Sequence, residues 1–135
     1  MRYKTDKGAH AMYSIQFHLV FCVKHRKGVL YGKIIERLEE IATHIAQQFG
    51  IDVIEQNTGL DHVHIVFSSK PQVQVSKFVN SLKSVSSRLL QKEFPDLKEN
   101  LYNDKLWSPS YFIASVGEVD LDVLKKYVED QEKRI

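Results

Sequence analysis

Residues 62–68 read His-Val-His-Ile-Val-Phe-Ser. Side chains of a strand alternate between its two faces, so the uniformly apolar odd positions Val63, Ile65 and Phe67 turn together toward a core. His62 and His64 then share the opposite face, about 6.6 Å apart along the strand, close enough for two imidazoles to converge on one cation. On its own a histidine pair of this kind is as often a hydrogen-bonding feature as a metal site. Its weight depends on the rest of the chain.

Upstream, Ile51 to Gln56 is a second short β run, and Asn57, Thr58, Gly59, Leu60 and Asp61 between them suit a hairpin turn. Before it, Ile34, Leu38, Ile41, Ile45 and Phe49 recur at helical spacing from Lys33 to Phe49, and Gly50 stops the run. The segment Met12 to Val23 alternates as one long strand, with Ile15, Phe17, Leu19, Phe21 and Val23 on one face and Gln16, His18, Val20 and Cys22 on the other. Downstream, Val75, Phe78, Val79, Leu82, Val85 and Leu89 mark a helix from about Val75 to Lys92, with Pro95 past its end. Trp107 to Val116 is β-rich, and a last helix runs from Leu121 to Arg134 with Asp120 as its cap. The order β-α-β-β-α-β-α predicts an α+β fold: a ferredoxin-like antiparallel sheet, helices on one face, the other face open, and an added C-terminal helix.

The 135 residues, 43% apolar, suit a single domain over residues 1–135 with a real core, and a net charge of +2 leaves any nucleic-acid surface local. The single cysteine, Cys22, excludes an internal disulfide framework and a thiolate zinc cluster. No apolar run approaches the roughly 20 residues of a membrane helix, and the polar start, Met1 to His10, does not resemble a signal peptide, so a cytoplasmic protein is expected.

On the last helix Tyr127 and Gln131 are four residues apart and share a face, presenting a phenol beside an amide carbonyl. Two neutral histidines and an amide oxygen would leave a divalent ion its charge and open positions, able to polarise a phosphate while the tyrosine attacks it. A free phenol, with its pKa near about 10, needs such help at neutral pH. Packing is the commoner use of a helical tyrosine, and the coincidence with the histidine pair is what favours chemistry. His18 has no partner at ligand spacing on its own strand, and it is read with His10, His25 and His44 as a non-ligand. Lys24, Arg26 and Lys27, with Lys77, Lys83, Arg88 and Lys92, form basic groups suited to DNA phosphates, and Tyr102, Trp107 and Tyr111 are candidates for stacking on bases, although core packing is the better expectation for Trp107.

Asp61-His-Val-His-Ile-Val66 together with Tyr127-Val-Glu-Asp-Gln131 resembles the single-tyrosine HUH (histidine-hydrophobic-histidine) transposases of small bacterial and archaeal insertion sequences. The likeness extends through Phe17 to Phe21, the basic Lys24 to Lys27, the serine-rich Lys83 to Arg88 and Leu106 to Phe112. It implies Mg2+ or Mn2+ bound by His62, His64 and Gln131, and Tyr127 as the nucleophile that forms a covalent 5′-phosphotyrosine during DNA recombination. It also implies a homodimer that binds single-stranded DNA hairpins and can share active sites through a mobile tyrosine helix, for which Gly117, Glu118 and Val119 would be the tether. Two other readings share parts of this pattern: an HUH nickase with a replication or host role, and a non-catalytic nucleic-acid-binding ferredoxin-like module.

Overall fold

The alternating runs around residues 12–23 and 62–68 become neighbouring strands, and the helical stripes close over one side of them. The computed structural model describes residues 3–5, 11–116 and 121–132. In chain order the elements are β1 (Tyr3–Thr5), β2 (Ala11–Tyr13), β3 (Ile15–Cys22), α1 (Lys33–Gln48), β4 (Asp52–Thr58), β5 (His62–Ser69), α2 (Val75–Glu93), α3 (Pro95–Glu99), β6 (Phe112–Ser115) and α4 (Leu121–Glu132), with 3-10 turns at Lys24–Arg26 and Tyr102–Asp104. The main sheet has the order β4-β5-β3-β6 with every neighbour antiparallel. This is the expected α+β architecture with its added C-terminal helix.

The strand expected from Met12 through Val23 divides at Ser14. Its first part pairs with β1 as a separate ladder, Tyr3 facing Tyr13, while its second part pairs with β5 and β6. Val63, Ile65 and Phe67 are at most 1% exposed and join Leu19 and Phe21 beneath α1 and α2. Phe67 packs edge-on against Phe78 of α2, ring centroids 5.2 Å apart, and burying a side chain of this kind contributes about 1.5–3 kcal/mol. Gly50 ends α1 in the left-handed conformation, φ 68°, which a glycine adopts without strain. Pro95, expected only as a stop, instead starts α3, where its missing N–H costs nothing.

Two further expectations change. The strand expected over Trp107 to Val116 is continuous only from Phe112 to Ser115. Trp107 makes a lone bridge to Val23, whereas Phe112 pairs with Val20, so three steps along one chain answer five along the other. Residues 108–111 therefore bulge, at a point where Pro109 lacks the N–H a ladder needs. The second sheet face is also not open. Val20 and Cys22, which share it with the histidines, are 2% and 0% exposed, and α4 packs against β3 on that side. Asp120, the Gly117 to Val119 tether and Lys133 to Arg134 lie outside the described residues.

Candidate active site

The hairpin that carries the histidines is tight. Gly59 donates its N–H to the His62 carbonyl at 2.9 Å, and a β carbon at Gly59 would come within 2.7 Å of the His62 ring. The ring thus occupies space that only glycine leaves. His62 Nδ1 lies 2.9 Å from Asp61 Oδ1; an ionised carboxylate only accepts, so Nδ1 carries a proton, and in the neutral ring Nε2 is the nitrogen with a lone pair. Burial alone would raise the Asp61 carboxyl, but the bonds from His62 and Arg26 outweigh it and hold the group below its ordinary value. His64 Nε2 lies 2.9 Å from His18 Nδ1, with the rings stacked at 5.2 Å. Burial first, then the neighbouring His18, pushes His64 below the usual histidine range, which favours the neutral ring a cation requires.

On the other side of the same face stand the residues of α4. Tyr127 packs on Phe112 at 5.4 Å between centroids, and its hydroxyl lies 3.3 Å from Ser110 Oγ. Gln131 is 6% exposed, and its Oε1 accepts from Ser108 Oγ at 3.0 Å and Ser110 Oγ at 3.2 Å. The bulge is therefore the seat of both. It is held from beneath by Lys83 of α2, whose Nζ donates to the carbonyls of Ser108 at 2.7 Å and Ser110 at 3.1 Å. Burial lowers the Lys83 pKa.

The sheet register arranges these parts in two rows. His64, Val20 and Phe112 lie side by side on β5, β3 and β6, with Tyr127 above Phe112. His62 faces Cys22, whose carbonyl accepts from the Ser108 N–H at 2.8 Å, with Gln131 above Ser108. Each row spans two strand spacings, about 10 Å. The i, i+4 pair on the helix thus stands opposite the i, i+2 pair on the strand. Cys22 lies between them, its thiol pushed up to about 11 by burial.

Comparison with known proteins decides the family. The family model described as Transposase IS200 like matches residues 11–131. The chain belongs to the IS200-like transposase family. The ISDra2 transposase TnpA of Deinococcus radiodurans is 39% identical over 128 residues, covering 95% of this chain and 91% of that protein. The transposase for insertion sequence element IS200 of Salmonella typhimurium is 28% identical over 91% of this chain and 80% of its own. A solved Deinococcus radiodurans structure described as a transposase superposes with a TM-score of 0.85 at 32% identity, covering 93% of this chain and 97% of that one. A REP-associated tyrosine transposase, solved bound to a REP hairpin, shares the fold at a TM-score of 0.56 and 10% identity over 92% of this chain and 68% of its own.

In this IS200-like transposase the structure brings His62, His64, Tyr127 and Gln131 to one sheet face. His18, read from its own strand as a non-ligand, is bonded to His64; its even position already placed it on that face, but the pairing spans 46 residues and needs the β3–β5 register. The basic group divides. Arg26 and Lys83 are committed to internal bonds and Lys27 donates to the Asn100 carbonyl, whereas Lys77, Arg88 and Lys92 are exposed. Trp107 is core, its Nε1 donating to Ser86 Oγ, and Tyr111 is half-buried, while Tyr102 is 64% exposed. The serine bulge went unread because neither serine belongs to a spacing pattern. Among the described residues no helix is long and apolar enough to cross a membrane.

Proposed function

We propose that this IS200-like transposase cleaves and rejoins single-stranded DNA through a covalent 5′-phosphotyrosine on Tyr127, with His62, His64 and Gln131 holding Mg2+ or Mn2+. One observation carries the reading: the two-row arrangement, in which a phenol and an amide on α4 stand on the same sheet face as two imidazoles on β5, with β3 between them. The donor set suits a divalent ion, because His62 is oriented by a carboxylate with Nε2 left over and Gln131 offers an amide oxygen. When bound, such an ion polarises the scissile phosphate and stabilises charge on its oxygens.

The protein's own residues supply the rest. Tyr127 Oη forms a bond to phosphorus as the bond to the upstream O3′ breaks. The phenol proton is lost and the departing oxygen gains one, leaving a free 3′ hydroxyl. The reverse step rejoins DNA without an external energy source, since one phosphodiester replaces another. Ser110 keeps the phenol beside Gln131, and His18 orients His64, whose pKa burial chiefly lowers. Exposed Arg88, with Lys24 and Lys27, would track the DNA backbone. The REP-associated relative, solved on a hairpin, supports hairpins as the DNA form bound. A cytoplasmic homodimer fits this role, with each face accepting the tyrosine helix of either protomer.

The test is incubation with labelled single-stranded hairpin DNA from the flanks of its own gene, with Mg2+ or EDTA, followed on a denaturing gel. A metal-dependent protein–DNA adduct that disappears in Tyr127→Phe is expected; hairpin binding without an adduct under either condition would overturn the mechanism.

A further inference from the structure

Arg26 lies where the histidine hairpin meets the tyrosine helix. Its Nε donates to Asp61 Oδ2 at 2.8 Å, and Nη2 approaches the same oxygen at 2.7 Å. The other arm, Nη1, donates to the Val128 carbonyl of α4 at 2.6 Å, one residue beyond Tyr127. The guanidinium is the group suited to this, because its rigid fork carries donors in diverging directions. The side chain is only 15% exposed, so it is poorly placed as a freely reaching phosphate contact.

The backbone supports a dedicated role. His25 and Arg26 both have positive φ, 61° and 52°, a conformation disfavoured for residues with a β carbon. Two such residues in succession persist where the surroundings determine them, and here the turn aims one side chain between two elements. Asp61 in turn holds His62 Nδ1 through its other oxygen, Oδ1. A continuous chain of contacts therefore runs from α4 to the histidine ring: Val128 carbonyl, Arg26, Asp61, His62.

We propose that Arg26 is a positioning residue that couples the docking of the tyrosine helix to the orientation of His62. When α4 leaves the sheet, Arg26 loses one of its two anchors and Asp61 holds His62 less firmly; when the helix docks, both are fixed together. Its bearing on strand transfer rests on the proposed roles of Tyr127 and His62. The coupling itself belongs to the protein alone, and failure of the adduct experiment would leave it standing.

Hydrogen exchange on the full chain, without DNA or metal, tests it. Arg26→Gln and Asp61→Asn are each expected to speed exchange of the α4 amides on the order of tenfold, with β3 unchanged. The double variant should do no more than either alone, the mark of residues acting in series. Arg26→Lys should not restore slow exchange, since one ammonium cannot span both anchors. Wild-type exchange of α4 in Asp61→Asn, or additive effects in the double variant, would overturn the proposal. Where a variant loosens β3 as well, the ring nitrogen resonances of His62 in Arg26→Gln decide: a mixed tautomer is expected, and the wild-type pattern would refute the coupling.

Discussion

The two halves of the site are built by different means. β5 holds His62 and His64 by a ladder on both sides and by Val63, Ile65 and Phe67, which are sealed in the core. On α4, the described contacts of Tyr127 and Gln131 include two serine hydroxyls and the Phe112 ring, and Arg26 donates to the neighbouring Val128 carbonyl. Among the described side chains of α4 only Gln131 is buried. The backbone of the histidine strand is thus fixed by the sheet and the core, whereas among the described contacts the tyrosine helix is met mainly by polar groups. Under the proposed function, the strand-held half would carry the metal ligands and the helix-held half the nucleophile.

Substitutions that separate the halves make this contrast breakable. The largest effect is expected from Phe67→Ala, which opens a cavity under the histidine strand and should cost about 3–5 kcal/mol in denaturant unfolding. A loss confined to local exchange would show that β5 is less central than the packing indicates. Lys83→Met keeps the aliphatic stem but removes the donor beneath the bulge. It should cost about 1.5–3 kcal/mol and speed α4 exchange more than β5 exchange; equal effects on both would abolish the distinction. Gly59→Ala addresses the histidine half without touching the core. The added methyl must displace the His62 ring, so Mn2+ binding by calorimetry should weaken about tenfold with little change in unfolding. Unchanged affinity would remove the His62 ring position from ligation.

The histidine half was legible because its determinants are local. Alternation fixed the faces of Val63 and His64, and the helical stripes over Lys33 to Phe49 and Val75 to Lys92 showed which face they cover. The tyrosine half was legible only as the spacing of Tyr127 and Gln131 and as a family resemblance. Its supports come from distant points of the chain: Arg26 meets Val128 across 102 residues and Lys83 meets Ser108 across 25. Arg26 and Lys83 looked like members of a basic surface because charge is visible in a sequence and partners are not. Nor did composition reveal that Pro109 would end one ladder and let another begin.

In an uninterrupted ladder, one inserted residue would turn every later side chain to the wrong face. Residues 108–111 suspend that rule. Trp107 bridges Val23, just past the end of β3, and Phe112 pairs with Val20 three residues earlier, so each register is set on its own side of the segment. The segment thus separates two registers: the hydroxyls that seat the tyrosine helix stand on residues that the β3 ladder does not count, while Lys83 fixes their carbonyls from below.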